Sequence, residues 1–450
     1  MNNDTKKINI SLISLGCPKN LVDSECMISL LGSRDFDVIE DISKADVAVI
    51  NTCGFIESAK KEAIDTILSV ADLKKPNGNL DYIVVTGCLP QRYGKDILLS
   101  MPEVDAVLGT SHYKDVADTI LSLYKDKEAN KELVDEPGGI DHLLTDRYVS
   151  TGSYAYLKIG EGCRNRCSFC AIPLIRGNYI SRPVEDIVKE AENLVSRGFS
   201  ELILAAQDTT NYGIDFDGKR HLVGLLREIT KTEGLSLVRI MYGYMDGIDD
   251  ELISEIKNNP KIAHYLDIPI QHGDDEILKM MRRRDTSDKI TSVLTKLRKE
   301  IPDIIIRTTV LVGFPGETEE MFNNLLEKLK VWRFDRLGCF SYSPEEGTPA
   351  YDMPGQIDEK TKELRCSKVY ETQKAISEEL NRARLGTTVK VTIDSISDDG
   401  IFYKGRSYGE APDVDPEIFV AATDSELTVG KSYMVRLVDS SDYELTGVTV

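Results

Sequence analysis

The stretch Gly160-Glu161-Gly162-Cys163-Arg164-Asn165-Arg166-Cys167-Ser168-Phe169-Cys170 decides how this 450-residue chain is read. Three thiols fall in one short run, spaced C-x3-C-x2-C. The apolar residues just before, 154–159, read as a strand. The cysteines therefore leave a strand end, where α/β folds place their chemistry. Three thiolates on one loop can bind one metal centre together but cannot supply four ligands. A structural zinc site needs a fourth ligand to close its tetrahedron. The nearest histidine, His142, is distant in sequence, and no second C-x2-C follows. An iron–sulfur cube held by three cysteines leaves one iron open to a small molecule. That reading is preferred over zinc and over chance cysteines.

The spacing resembles the signature of the radical S-adenosylmethionine (SAM) enzymes. The resemblance implies that the open iron holds SAM and that an electron from the cluster releases a 5′-deoxyadenosyl radical; such chemistry is borne by the cofactor. Phe169, inside the triad, is similar to the aromatic that this superfamily places beside the adenine. A core aromatic is the plain alternative.

The chain is too long for one ordinary core, so several domains are expected. Net charge is −20, which disfavours direct binding of nucleic acid and favours a basic or protein partner. The start lacks a signal-peptide core, and no apolar run approaches the roughly 18 residues of a membrane helix. Nine cysteines, an odd number, argue against a disulfide framework and for a reducing cytoplasm.

Residues 1–124 form the first expected domain. Strands are expected at 8–15, 46–51, 82–86 and 106–108, with helices at 22–31, 58–71 and 114–123. This alternation predicts a parallel sheet. Cys17, Cys53 and Cys88 follow three successive strands at gaps of 36 and 35 residues. Parallel strands bring their carboxyl ends to one edge, so these thiols can converge. The spacing signals a three-cysteine metal site with an open position and does not identify the metal. Gly16-Cys17-Pro18-Lys19-Asn20, Asn51-Thr52-Cys53-Gly54-Phe55-Ile56 and Gly87-Cys88-Leu89 resemble the N-terminal domain of the methylthiotransferases. That resemblance implies a second 4Fe–4S cluster on these three cysteines. G-C-P-K-N and N-T-C-G-F-I-E-S-A are similar to the branch acting on small-subunit ribosomal protein S12. The tRNA-modifying branch more often has G-C-Q-M-N.

Residues 125–152 are polar and read as a linker. From 153 to 385, six strands (154–159, 201–205, 235–241, 264–268, 304–310, 335–341) alternate with helices and lead into a charged helix at 358–385. This predicts a partial or full TIM-type barrel. Gly313-Phe314-Pro315-Gly316-Glu317 after a strand resembles a SAM-contacting motif, so Gly313, Phe314, Gly316 and Glu317 are cofactor candidates. Gln207 and Arg239, on other strands or their ends, are further candidates. Tyr242-Gly243-Tyr244-Met245 departs from a Tyr-x-Tyr-Pro pattern and leaves that turn's geometry open. Cys26, Cys339 and Cys366 read as packing cysteines.

Residues 386–450 hold short alternating strands with Gly and Asp turns, a small OB-like β-barrel. They resemble the TRAM domain. With 12 Asp/Glu against 5 Lys/Arg, this barrel suits a basic protein better than phosphate. The acidic stretch 405–415 resembles the ribosomal-protein branch; a solvated loop is its plain reading.

Together the resemblances imply replacement of a C–H bond by C–SCH3 on an aspartate of S12, with two 4Fe–4S clusters and SAM, a reductant protein as partner, and a monomer in the cytoplasm. A tRNA methylthiotransferase and a non-enzymatic Fe–S electron carrier or sensor are the rival readings.

Overall fold

The computed structural model describes residues 7–34, 36–126, 131–423 and 426–450. The first domain is a six-stranded parallel sheet in the order Phe36–Val38, Ile8–Ser14, Val47–Thr52, Tyr82–Gly87, Ala106–Leu108, Glu132–Leu133. Its central strand, V-A-V-I-N-T, is buried along its whole length, as a parallel sheet covered on both faces requires. Helices Pro18–Gly32, Glu57–Ala71, Cys88–Ser100 and Val116–Lys125 supply those covers. The stretch read as a linker is not a free connection. Glu132–Leu133 adds the sixth strand, and His142 and Arg147 are buried. Residues 127–130 lie outside the described residues.

The second domain is an open barrel of six parallel strands, Tyr154–Lys158, Glu201–Ala205, Leu237–Ile240, Ile262–Asp267, Ile305–Val312 and Arg336–Ser341, neighbours in that order. Leu, Ile and Val on the outer faces pack under the surrounding helices. The inner faces behave differently. Tyr156, Ile203, Met241, Tyr265 and Ile305 share one cluster with Val22 and Cys26 of the first domain and Ala411 of the last. A barrel of six strands leaves an unsealed lumen, and both flanking domains push apolar side chains into it.

The last domain is a closed five-stranded barrel, reached through helix Glu359–Arg384. The acidic stretch 405–415 is neither a solvated loop nor a free docking face. Glu410 pairs with Arg384 at 2.6 Å and Arg336 at 3.3 Å. Asp415 accepts from Tyr265 Oη at 2.7 Å and faces Arg307 at 3.4 Å. Asp413 accepts from Tyr156 Oη at 2.8 Å. Arg406 reaches Glu201 at 2.8 Å. The stretch plugs the barrel beside the first residues of its strands, and the arginines it meets come from distant parts of the chain, which is why local composition misread it. Glu410→Ala strands the buried guanidinium of Arg336 and the largely covered one of Arg384, so a loss of about 3–5 kcal/mol is expected in chemical denaturation. Earlier proteolytic release of residues 386–450 would accompany it.

Cys339 and Cys366, read as unrelated, lie Sγ to Sγ at 3.4 Å across strand and helix. The Cys339 thiol pulls Cys366 down to about 7, against the effect of burial. Cys26 is buried in the core, and that burial pushes it up to about 12. Among the described residues no helix is long and apolar enough to cross a membrane.

Candidate paired three-cysteine centre

Cys17, Cys53 and Cys88 each leave the carboxyl end of a neighbouring strand, and the glycine beside each lets them close in. A Cβ on Gly16 would lie 2.8 Å from Cys53 Cβ and 3.4 Å from its Sγ. A Cβ on Gly54 would lie 2.8 Å from Leu89 Cα and 3.1 Å from the Cys88 carbonyl carbon. Gly87 holds φ at +99°, turning the chain directly into the helix that Cys88 begins. Burial pushes Cys53 up to about 12, with the neighbouring Cys88 adding to it, and pushes Cys88 up as well. Cys17 is half-buried, and desolvation would raise it, but Lys19, the Asn20 amide and Arg176 outweigh that and lower it. Sulfurs that resist ionising beside one another suit a cationic centre, which removes their protons outright.

The barrel triad sits on the loop after Tyr154–Lys158, the first barrel strand. Gly162 holds φ at +75°, and a Cβ there would meet the Asn178 carbonyl oxygen at 2.1 Å. Cys163 Sγ accepts from the Asn165 backbone and side-chain amides, each at 3.5 Å. Asn165 is fixed by Asp208 at 2.7 Å and by Arg284 at 2.7 Å. Cys167 Sγ lies 3.2 Å from Tyr244 Oη, whose ring is covered by Arg283 at 3.7 Å. Ser168 fastens the loop to the Met280 and Met281 carbonyls. Burial lifts Cys163 to about 11, and burial with Cys167 lifts Cys170 further. Three thiols with hydrogen-bond donors to sulfur, and among the described residues no fourth ligand grouped with them, fit an iron–sulfur cube with one open corner.

The SAM candidates divide. Phe169 and Phe314 share an apolar cluster with Ile277, Met280, Met281 and Tyr342 beside the triad loop. Gly316 is open, with Met280 Cε the nearest neighbour of a built Cβ at 3.7 Å, while Gly313 is packed against Lys362. Gln207 donates to Glu161 at 2.7 Å, and its Oε1 is buried without a partner, an acceptor suited to a ligand N–H. Glu317 is used inward. It accepts from the backbone amides of Gly313 and Phe314 and pairs with Arg365 at 3.3 Å, so it shapes the turn. Arg239 is not at this mouth. Its donors go to Glu201 and to the carbonyls of Ser407 and Tyr408, among the plug residues. A charge inside a strand pointed into the lumen, but toward the opposite end.

Between the triads runs one short helix, Ile172–Arg176. Ala171 and Ile175 pack on Cys88, while Cys170 directly precedes Ala171. Arg176 donates to Cys88 Sγ at 3.3 Å, Asn20 Oδ1 at 3.0 Å, Asp23 at 2.6 Å and Glu161 at 2.9 Å. Lys158 bridges Asp23 and Glu161, each at 2.5 Å, and His142 contacts Asp23 at 2.8 Å. Asp23, His142 and Glu161 have the proximity of a metal site, but both carboxylates already hold two cations. Sequence reading missed Arg176, Lys158, Asn165 and Tyr244. Only Tyr244 and Asn165 carried a signal, since both fall inside the quoted motifs.

Comparison with known proteins agrees with this arrangement. The Radical SAM superfamily profile matches residues 157–329, an uncharacterized protein family (UPF0004) matches 9–109, and a TRAM domain matches 385–450. The chain is 48% identical to the ribosomal protein uS12 methylthiotransferase RimO of Acetivibrio thermocellus, covering 99% of each. It is 45% identical to the RimO of Trichlorobacter lovleyi, covering 98% of this chain and 97% of that one. It is 46% identical to that of Clostridioides difficile, covering 98% of each. Among solved structures, the radical SAM methyltransferase TsrM of Kitasatospora setae superposes with a TM-score of 0.57 at 14% identity, covering 77% of this chain and 74% of that one. OxsB, a cobalamin-dependent SAM radical enzyme, gives 0.53 at 14%, covering 82% and 56%. These two likenesses establish the fold. The full-length identity, with both cysteine triads in place, establishes that the chain belongs to the ribosomal protein uS12 methylthiotransferase family of radical SAM proteins.

Proposed function

We propose that the chain puts a methylthio group on the β-carbon of an aspartate in ribosomal protein uS12, using SAM and two 4Fe–4S clusters. Cys163, Cys167 and Cys170 hold the cluster that binds SAM, and Cys17, Cys53 and Cys88 hold the second. When bound, these groups supply a carbon radical that removes a hydrogen atom, the incoming sulfur and the methyl donor; no side-chain base reaches that bond, because acid–base catalysis contributes only about 10²–10⁴-fold. The observation that carries the reading is the pair of triads joined through Ala171, Ile175 and Arg176.

The chain's own residues orient and protect. Asn165 and Tyr244 donate toward the barrel-loop sulfurs and hold that loop. Phe169, Phe314 and the Met280–Met281 pair form an apolar wall, and Gln207, held by Glu161, offers its unpartnered Oε1 as an acceptor. Gly313, Gly316 and Glu317 set the turn that carries Phe314 into this wall. Arg239 works in holding the last barrel and not in binding SAM. On that last barrel Asp398, Asp399, Glu426, Asp439 and Glu444 remain exposed and suit a basic protein. We further propose a monomer in the cytoplasm, fed electrons by a reductant protein, with no nucleic-acid partner.

Deleting the gene is expected to remove the methylthio mark from uS12, read by mass spectrometry of ribosomal proteins, and to leave tRNA methylthiolation intact. Loss from tRNA instead would assign the chain to the other branch.

A further inference from the structure

Lys19 carries a buried positive charge that no carboxylate pairs with among the described residues; the Cys17 sulfur is its neighbour on the same turn. Its side chain is 9% exposed, and its Nζ stands 3.3 Å over the ring of Tyr242. Among the described residues no carboxylate oxygen lies within 4.0 Å of Nζ, and no acceptor receives its protons. Other cations of this region, the buried Lys158 and Arg176 and the half-buried Arg307, all have carboxylate partners. Even the carboxylate after Tyr242's strand neighbour, Asp267, is taken by Arg307 at 3.1 Å and the Tyr242 amide at 3.2 Å. A buried ammonium with only a ring face beneath it is incompletely compensated.

Its position gives a carboxylate a place. Lys19 is two residues past Cys17, in the first turn of helix Pro18–Gly32. Tyr242 follows barrel strand Leu237–Ile240 and holds φ at +58°, a conformation rare for an aromatic residue. Two residues on, Tyr244 touches Cys167 of the other triad. One turn therefore carries the Lys19 platform at one end and a sulfur contact at the other. An anion resting on Lys19 lies at the boundary between the two cysteine sites.

We propose that Lys19 receives the side-chain carboxylate of the residue to be modified, with Tyr242 fixing the direction of the ammonium. This makes Lys19 the group that distinguishes an acidic acceptor from a neutral one, and it rests on the uS12 aspartate reading above. A carboxylate held there sets its adjacent carbon between the two triads. The neutral amide of asparagine forfeits the charge-assisted bond.

The test is equilibrium binding of purified uS12, with aspartate or asparagine at the modified position, to the cluster-loaded protein without reductant. The parent protein is expected to prefer aspartate by about 10- to 100-fold. Lys19→Met should erase that preference while iron content stays at the parent's level, and Lys19→Arg should keep part of it. Discrimination retained in Lys19→Met overturns the assignment, and so does iron lost in both variants, which makes Lys19 a support of the metal site. If the parent binds neither form of uS12 but binds tRNA, the substrate reading itself falls, and the Lys19 assignment falls with it.

Discussion

A chain carrying Cys17→Ala, Cys53→Ala and Cys88→Ala is expected to hold about four irons in place of about eight, to keep producing 5′-deoxyadenosine from SAM after reduction, and to form no methylthiolated uS12. The expected fall in product is at least about 10³-fold, because no other group in the chain replaces a cofactor that carries the sulfur. The split outcome follows from the architecture. The barrel triad takes its loop geometry from Gly162, Asn165, Ser168 and Tyr244, none of which belongs to the first domain. The first triad is assembled by the edge of a separate sheet and by Gly16, Gly54 and Gly87. Alanine is smaller than cysteine and fits the same spaces, so the sheet survives. The reciprocal change, Cys163→Ala with Cys167→Ala and Cys170→Ala, removes SAM cleavage and product together while iron at the other site remains. Iron, 5′-deoxyadenosine and product are measured on the same preparations. Product from the first triple variant would deny the Cys17 site its role in sulfur delivery.

The barrel triad was legible from its C-x3-C-x2-C spacing on one loop, and the first triad because repeated spacing after strand ends is a topological signal. Parallel strands fix where the next carboxyl end emerges, and Cys17, Cys53 and Cys88 mark three such ends. The six barrel strands were legible for the same reason, since each is an apolar run paired with an amphipathic helix. What stayed hidden lies in contacts between domains. Glu410 and Asp415 are anonymous acids in a polar stretch until Arg384, Arg336 and Tyr265 arrive from 26, 74 and 150 residues earlier in the chain. The stretch 125–152 looks like a linker because its job is polar: His142 and Arg147 meet carboxylates on both sides of the domain boundary. Arg239 shows the limit of reading one strand. Its alternation predicts a lumen-facing charge, but which end of the lumen it serves depends on Glu201 and on residues 407 and 408.

Asp23→Asn is expected to cost about 3–5 kcal/mol of stability at neutral pH, among the largest single-residue effects in the chain. Asp23 comes from the first domain, and Lys158, Glu161 and Arg176 from the barrel; every one of these side chains is buried. Two cations face two carboxylates, so the set is balanced, and deleting one anion leaves a net positive charge that water does not reach. A lost contact and an unbalanced charge are separated by a second variant. Asp23→Asn with Lys158→Met removes one charge of each sign and should recover most of the loss, giving a coupling energy of about 2–3 kcal/mol between the sites. Simple additivity would mean that packing, and not charge, sets the cost. The pH dependence supplies an independent reading. Burial alone would raise Glu161, but Arg176 and Lys158 overcome it and hold the group at about 2, and the same cations with His142 depress Asp23 below its ordinary range. The unfolded chain, with carboxylates near the usual value of about 4, therefore binds more protons than the folded one as pH falls from about 4 toward 2. Stability from this set is complete above that window and lost through it, so the parent should weaken on acidification more steeply than Asp23→Asn. The same arginine that balances these carboxylates also donates to Cys88, so the balanced set lies at the boundary between the two cysteine triads.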